Sequence, residues 1–237
     1  MSLPFKFKQF SVAQDRCAMK IGTDGVLLGA WVSLENNPES ILDIGAGTGI
    51  ISLQLAQRST AETIDAVEID DDAYEQCSEN FEASPWGDRL FCYHASIQEF
   101  ASEIEEKYDL IVSNPPFFSE DYKSDNDARD IARFNDALPF QHLVVCASHL
   151  LSEEGTFAVI LPKKEEEHFI QLASENNLYL QRFCEIQGTP NSEIKRVLLE
   201  FSFKKLTPIK EALVIEISRH HYTPEYTNLV KDFYLKM

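Results

Sequence analysis

The chain has 237 residues, of which 44% are hydrophobic and 25% charged; its 39 acidic and 21 basic side chains give a formal net charge of −18. This length and composition provide for a substantial hydrophobic core and exclude a disulfide-stapled miniprotein or a disordered tail. The acid excess disfavours nucleic-acid binding over the whole surface. A local basic face remains compatible with it, because the field near a site depends on which charges cluster there.

Targeting and metal-binding signals are absent from the sequence. No stretch approaches about eighteen uninterrupted apolar residues, and residues 1–10 lack the apolar region and cleavage site of a signal peptide. The five cysteines are widely spaced and include no C-x-x-C pair, which argues against a disulfide framework and against a zinc site. We therefore expect a cytoplasmic protein with no membrane association and no bound metal.

Short apolar runs alternate with segments of helical period along most of the chain. The predicted strands cover residues 41–44, 63–69, 90–93, 108–113 and 156–161, and the predicted helices cover 49–57, 71–81, 97–105, 140–151 and 164–176. Runs that are apolar throughout are typical of strands buried on both faces. The alternation predicts an α/β fold, with a parallel sheet and helices on both of its faces.

The rhythm changes after residue 178. Residues 178–186 and 196–203 are strand-like, and the loop between them leaves no room for a crossover helix, so they predict an antiparallel hairpin at the edge of the sheet. Residues 212–217 are a possible further strand, and residues 224–237 predict a short closing helix. We expect one domain over 1–237, with a core at 39–237 built on a seven-stranded, mostly parallel sheet.

The first strand runs directly into a glycine-rich loop, DIGAGTGI, at residues 43–50, and Glu68 ends the second strand 25 residues after Asp43. The glycines allow close approach of a ligand, the following helix offers its N-terminus, and an acid at the tip of strand two can accept ribose hydroxyl protons. Ile50 stands where the dinucleotide fingerprint has Gly or Ala, which weakens a pyrophosphate assignment. Asp43 suits an ammonium group or another cation. A glycine turn without a ligand is the alternative, and the spacing of Glu68 disfavours it.

The pattern D-x-G-x-G-x-G followed by a strand-two acid resembles the class I S-adenosylmethionine-dependent methyltransferases. The resemblance implies a Rossmann-like fold and S-adenosyl-L-methionine as cofactor, with the first acid and the glycines around the methionine part and the second acid on the ribose. The family commonly has an acid near the cofactor adenine after strand three, where this chain has Ser96 or backbone groups. The cofactor-binding residues expected in this core are Asp43, Gly45, Gly47, Gly49, Glu68, Ile69, Ser96, Ile97 and Asn114.

Strand four is followed by Asn114-Pro115-Pro116-Phe117, 71 residues after Asp43 and on the strand where methyltransferases carry this motif. A plain Asn-Pro turn is the alternative. The Asn114 side-chain carbonyl and the Pro115 backbone carbonyl can accept the two N–H bonds of an exocyclic amino group, which directs the nitrogen lone pair at the methyl. The prolines lock the turn, and Phe117 offers a face on which an extruded base can stack. Asn114, Pro115 and Phe117 are therefore the predicted catalytic residues.

Three further segments extend the resemblance to nearly the whole chain: K-x-G-T-D-G at residues 20–25, YTPEY at 222–226 and DFYLK at 232–236. With the Asn-Pro-Pro-Phe turn they resemble the bacterial tRNA-Val adenine-N6 methyltransferases, which modify adenine 37. This implies methyl transfer to adenine N6 in tRNA, with residues 1–38 as a lid and Lys20, Thr23 and Asp24 at the cofactor. Guanine-N2 methylation of ribosomal RNA is the nearest alternative, and a non-catalytic cofactor-binding module is another. Methylation of protein glutamine or DNA adenine is disfavoured, because no helical substrate domain or DNA target domain is visible.

Basic residues suggest where the tRNA partner would touch a monomeric protein. Arg129 and Arg133 have helical i, i+4 spacing directly after the predicted catalytic turn, and we expect a lid whose arginines meet phosphates. A solvated, salt-bridged helix face explains the same spacing. Lys163, Lys195 and Arg196 are expected to complete a basic rim together with residues 219–221. Each of these, taken singly, is also compatible with ordinary surface.

Overall fold

The computed structural model describes residues 3–116 and 138–237. Their strands are β1 (Phe5–Lys6), β2 (Ser11–Val12), β3 (Ser40–Ile44), β4 (Thr63–Glu68), β5 (Leu90–His94), β6 (Tyr108–Ser113), β7 (Leu151–Pro162), β8 (Tyr179–Gln187), β9 (Ile194–Ser202), β10 (Ile209–Val214), β11 (Glu216–Ser218) and β12 (His221–Tyr222). Their helices are α1 (Thr23–Trp31), α2 (Ile50–Arg58), α3 (Asp71–Glu82), α4 (Ile97–Glu103), α5 (Phe140–Leu150), α6 (Glu166–Glu175) and α7 (Pro224–Val230), with a 3₁₀ turn at Lys163–Glu165. Among these helices, none has the length and apolarity to cross a membrane.

The central sheet has eight strands in the order β10-β8-β9-β7-β6-β3-β4-β5. Strands β3 to β7 are parallel, β9 is antiparallel to both β7 and β8, and β10 is parallel to β8. Every strand of the sheet except β9 therefore ends at one side, which we term the carboxyl edge. The chain leaves β3 toward β4 and β5 and returns on the other side to β6. Open α/β sheets bind their ligands at such a reversal.

Alternate strand residues feed two separate cores. Ile41 packs in the core beneath α1, α2 and α3, whereas its neighbour Leu42 packs in the core beneath α4, α5 and α6. Coverage of both faces explains why the predicted strands are continuous apolar runs instead of alternating ones. The predicted α/β class, the parallel sheet and the antiparallel β8–β9 pair are confirmed.

The predicted strand count was one too low. Strand β10 pairs with β8 and is the outermost strand, so the sheet has eight strands instead of seven. The β8–β9 hairpin, predicted at the end of the sheet, therefore lies one strand further in. The strand expected at 212–217 was placed too late, because Lys210 and Glu211 interrupt its apolar pattern. Their charges are balanced by Glu185 and Arg182, which no sequence pattern shows. The closing helix was also too long, since α7 ends at Val230.

The two ends of the described chain pack together. Phe7 forms an isolated antiparallel bridge with Tyr234, and the Lys8 backbone N–H donates to the Phe233 carbonyl at 2.8 Å. The rings of Phe7 and Phe10 stack with their centroids 4.8 Å apart, and the Phe7 ring also contacts that of Tyr234. The β1–β2 pair is thereby held against the C-terminal segment.

An arginine fastens the carboxyl end of α1 to the sheet. Arg182 binds the buried Glu200 through two hydrogen bonds of 2.9 and 2.8 Å and donates to the Trp31 carbonyl at 3.0 Å. Its guanidinium carbon lies 4.0 Å from the centre of the Trp31 ring. Glu200 also accepts from the Ser33 backbone N–H at 2.7 Å, so its charge is well compensated despite burial. Trp31 is accordingly a packing residue of this junction.

We expect Arg182→Ala to lower the free energy of unfolding by about 2 to 4 kcal/mol, because it leaves a nearly buried carboxylate with one partner. The control is Lys204→Ala, which removes the exposed ion pair with Glu154 and is expected to cost less than about 0.5 kcal/mol. Urea denaturation of the two variants measures the difference. Equal losses would contradict a special role for the buried pair.

Candidate active site

The three loop glycines all adopt positive φ, at 73°, 56° and 76° for Gly45, Gly47 and Gly49. A Cβ built on Gly49 would lie 2.5 Å from Phe81 and 2.9 Å from the Cys77 sulfur, so this glycine lets α2 begin directly against α3. Nothing lies within 4 Å of a Cβ built on Gly45 or Gly47. Two of the glycines therefore border open space at the carboxyl edge, as a ligand cradle requires, and the third serves packing.

Asp43, near the end of the central strand β3, is fully buried and only half satisfied. Its Oδ2 accepts from the Ser52 hydroxyl at 2.7 Å and from the Ser52 N–H at 3.2 Å. Its Oδ1 has no hydrogen-bond partner among the described residues. Burial raises the pKa of Asp43 to about 6, although the two bonds from Ser52 act in the opposite direction. A cation beside Oδ1 would supply the missing interaction.

Glu68, the last residue of β4, ties that strand to the glycine loop. Its Oε2 accepts from the Gly47 N–H at 2.8 Å, and its Oε1 accepts from the N–H groups of Ile69 and Asp70 at 2.9 and 3.0 Å. Each carboxylate oxygen can accept two hydrogen bonds, so Oε2 keeps capacity for a hydroxyl donor. The Ile69 side chain, just beyond, is 53% exposed.

The Asn114 turn lies directly beside the glycine loop. Ser113 is paired in register with Ile44, and its hydroxyl donates to the Ile44 carbonyl at 2.8 Å. Asn114 therefore follows β6 at the level where the glycine loop leaves β3, and Pro115 behind it is buried. A Cβ built on Gly25 of α1 would lie 4.0 Å from the Asn114 Nδ2 atom, so α1 closes the other side. Phe117 lies outside the described residues.

Two buried amides that the sequence did not single out hold the N-terminal segment over the loop. Asn80 bonds the Ala13 N–H and carbonyl at 2.8 and 2.9 Å and the Thr48 carbonyl at 2.9 Å. The Gln76 carbonyl oxygen accepts from the backbone N–H groups of residues 15 and 16, both at 3.1 Å. Their signal in the sequence was i, i+4 spacing on the otherwise apolar face of α3.

The predicted lid residues are placed in and before the first turn of α1. Lys20 and Thr23 are exposed, while Asp24 is partly buried and accepts a 2.8 Å hydrogen bond from Arg196 Nε. Asp24, predicted at the cofactor, is thus joined to Arg196, predicted at the RNA. This pair connects α1 to β9 at the carboxyl edge.

After β5, Ser96 caps helix α4. Its hydroxyl accepts from the Glu99 N–H at 3.2 Å and donates to the Glu99 carboxylate at 2.7 Å, and Ile97 is buried in the second core. The geometry gives Ser96 a capping role. Contacts of Ser96 and Ile97 with a cofactor adenine stay a prediction.

The remaining predicted RNA-binding residues differ in their environment. Lys163 forms ion pairs with Glu166 and Glu185, so its charge is already balanced. Lys195 is exposed beside the β8–β9 turn. Arg129 and Arg133 lie outside the described residues.

Comparison with known proteins identifies the chain. The methyltransferase small domain family matches residues 26–175. A tRNA1(Val) (adenine(37)-N6)-methyltransferase from Flavobacterium johnsoniae is 63% identical over 98% of this chain and 100% of that protein. The chain belongs to the tRNA1(Val) (adenine(37)-N6)-methyltransferase family. A relative of the same name from Trichodesmium erythraeum is 48% identical over 98% of both chains. The family recognised in the sequence is confirmed, and the chain is a methyltransferase.

Solved structures show the same architecture. A predicted O-methyltransferase from Agrobacterium tumefaciens superposes with a TM-score of 0.69 at 18% identity, over 89% of this chain and 96% of that one. A putative RNA methyltransferase from Pyrococcus horikoshii gives 0.53 at 17% identity, over 75% and 80%. At these identities the likeness concerns the fold alone, and it confirms the predicted Rossmann-like class I fold.

We expect Gly49→Ala to destabilise the protein by about 3 kcal/mol or more, because the new methyl group collides with Phe81 and Cys77 in addition to straining a positive φ. Gly45→Ala introduces the same strain without a collision and is expected to cost about 1 to 2 kcal/mol. Chemical denaturation of the cofactor-free variants compares them. Losses of equal size would show that close packing at Gly49 is unimportant.

Asp43 gives a second prediction, on the pH dependence of stability. Its folded-state pKa of about 6 lies above its ordinary value. The stability that this shift contributes to the folded state is therefore fully present below about pH 4 and is lost as pH rises through 6. Asp43→Asn removes this titration. Without cofactor, the free energy of unfolding of Asp43→Asn minus that of the natural protein is expected to rise by about 3 kcal/mol from pH 4 to pH 7. Urea denaturation across this range measures it, and a constant difference would contradict it.

Proposed function

We propose that this chain transfers a methyl group from S-adenosyl-L-methionine to the exocyclic N6 of an adenine in tRNA, at adenine 37 of tRNA-Val. The observation that carries the proposal is the contact between the Asn114 turn and the glycine loop. The bond from Ser113 to Ile44 sets the Asn114 turn beside the loop of Gly45, so an amino group held by the turn would face a ligand in the loop. The names of the 63% and 48% identical relatives support adenine as the target and do not favour the guanine-N2 alternative.

The described residues fit the cofactor. Asp43 offers an unpartnered buried oxygen for its cationic methionine part, and the space at Gly45 and Gly47 admits it close to the backbone. Glu68 is fixed by three backbone N–H groups and keeps an acceptor for a ribose hydroxyl. The cofactor supplies an electrophilic methyl group on a sulfonium, which becomes neutral when the methyl leaves.

Asn114 and Pro115 have the task of orienting the nucleophile. The lone pair of an adenine amino group is delocalised into the ring, so the nitrogen is a poor nucleophile until its two N–H bonds are engaged by acceptors. The Asn114 side-chain carbonyl and the Pro115 backbone carbonyl supply two acceptors, and the proline ring adds no competing donor. Alignment of nitrogen, methyl and sulfur then supplies most of the rate, and the proton is lost afterwards without a strong general base.

The setting of the enzyme follows from this reaction. Its macromolecular partner would be tRNA, its location the cytoplasm, and its catalytic unit a single chain spanning residues 1–237. The reaction requires no metal. The N-terminal segment held by Gln76 and Asn80 would cover the bound cofactor, in line with the lid expected at residues 1–38.

We expect Asn114→Ala to lower kcat by about 100-fold or more while the Kd for S-adenosyl-L-methionine changes less than about threefold, because the residue orients the nucleophile. Asn228→Ala, the same change at an exposed position of α7, is the control and should alter neither value. Transfer of labelled methyl to unmodified tRNA with nucleoside analysis gives kcat, and calorimetry gives Kd.

Two results of this experiment would overturn parts of the proposal. Full activity in Asn114→Ala would remove the role assigned to that residue. In a parallel assay with ribosomal RNA, label recovered there as N2-methylguanosine, with none in tRNA, would replace the substrate while keeping the chemistry of the turn.

A further inference from the structure

The β11–β12 hairpin projects from the same edge of the sheet as the candidate active site. Strand β10 runs parallel to β8 and ends at the carboxyl edge, and β11 follows it after a single residue. The Ile215 N–H donates to the Gln187 carbonyl and the Glu216 N–H to the Gly188 carbonyl, both at 2.9 Å. The hairpin therefore stands against the β8–β9 turn, in line with the ends of β3, β4 and β6.

The base of this hairpin is firmly anchored. The Thr223 N–H donates to the Ile215 carbonyl at 3.0 Å, and the Thr223 hydroxyl donates to the Val214 carbonyl at 2.5 Å. The same hydroxyl accepts from the Tyr226 N–H at 3.1 Å and so caps α7. One buried side chain thus joins the end of β10, the hairpin and the following helix, and fixes the base of the hairpin to the sheet.

The exposed residues of the hairpin combine one cation, Arg219, and two imidazoles with an aromatic face. Arg219, His220, His221 and Tyr222 are consecutive and all exposed, and no salt bridge joins Arg219 to another described residue. The Tyr222 ring packs on that of Tyr226 with centroids 5.3 Å apart and keeps 38% of its surface exposed. The acid of this hairpin, Glu216, accepts from the His220 backbone N–H at 3.3 Å. Cations beside an aromatic face are the combination that binds phosphates and bases of RNA.

Two further basic residues lie between the hairpin and the Asn114 turn. Lys195 and Arg196 follow Ile194, the first residue of β9, which pairs with Gln187 beside the hairpin. Arg196 binds Asp24, and a Cβ built on the next residue, Gly25, would lie 4.0 Å from the Asn114 Nδ2 atom. Four strand spacings separate β6 from β10, which is about 19 Å. The hairpin is therefore too far away to touch a base held by Asn114 and at the right distance for nucleotides that flank it.

We propose that the β11–β12 hairpin, through Arg219, His220, His221 and Tyr222 together with Lys195, docks the RNA backbone flanking the target adenine. The inference rests on the proposed function, because its occupant is the tRNA of that reaction. A chain with a net charge of −18 repels polyphosphate over most of its surface, so the exposed cations Arg219 and Lys195 favour this site and this direction of approach. Phosphate contacts of this kind set the register of the RNA and leave sequence reading to the target site.

The test compares two charge reversals of equal size. Arg219→Glu changes the hairpin, and Lys205→Glu changes an exposed lysine beyond the end of β9, on the opposite edge of the sheet. We expect Arg219→Glu to raise both the Kd and the KM for unmodified tRNA at least fivefold, with kcat and the Kd for S-adenosyl-L-methionine within twofold. Lys205→Glu should change all four values less than twofold. Equal melting temperatures would show that both variants fold.

The salt dependence of tRNA binding provides a second readout. If Arg219 contacts a phosphate, Arg219→Ala reduces the slope of log Kd against log salt concentration by about one. Binding of tRNA is measured apart from methylation, so the two proposals are separable. Methylation of tRNA with an unchanged Kd and KM in Arg219→Glu overturns the docking site alone. If tRNA binding depends on Arg219 but the natural protein does not methylate tRNA, the proposed function alone is overturned. If the natural protein does not bind tRNA, both the docking site and the proposed function are overturned.

Discussion

The burial of one incompletely paired carboxylate governs the centre of this structure. Asp43 sits near the end of β3, where it is fully buried and Ser52 satisfies only one of its oxygens. A lone buried carboxylate is costly, which is why its pKa rises to about 6. The cofactor-free fold thus carries an electrostatic cost at the position where a cationic ligand would remove it. Cofactor binding is expected to stabilise the whole domain, because a ligand bound only by the folded state shifts the folding equilibrium.

The surroundings of Asp43 are built to hold that position. Glu68 connects β4 to the glycine loop, and Asn80 connects the same loop to the N-terminal segment. At the far end of α1, Arg182 and Glu200 fix the helix whose first turn borders Asn114. Backbone groups of the site are therefore restrained from several directions, by Glu68, the proposed ribose acceptor, and by side chains to which no ligand contact is assigned. Such restraint is what alignment of a nucleophile with a methyl group demands.

Features that depend on local sequence patterns were predictable, whereas features that depend on contacts between residues distant in sequence were missed. Strands buried on both faces appear as unbroken apolar runs, and a glycine loop followed by Glu68 has a fixed spacing, so the sheet and the loop were predictable. Strand β10 was misplaced because Lys210 and Glu211 look like surface residues until their partners are known. Asn80 carries no motif, and its three hydrogen bonds depend on segments distant in sequence. Lys163 resembled an RNA contact for the same reason, since Glu185 lies next to it only in the folded chain.

The bridge between Phe7 and Tyr234 has a consequence for synthesis of the protein. The ribosome makes Tyr234 long after Phe7, whereas domains begin to fold from the N-terminal side as they emerge. Until then the rings of Phe5 and Phe7 lack their contacts with Tyr234, although Gln76 and Asn80 can already hold the segment at the glycine loop. A nascent chain stopped before residue 233 would leave these rings open to chaperones and proteases. Packing of the first strand pair thus waits for a segment far along the chain, whereas the glycine loop and the side chains that hold it are synthesised early.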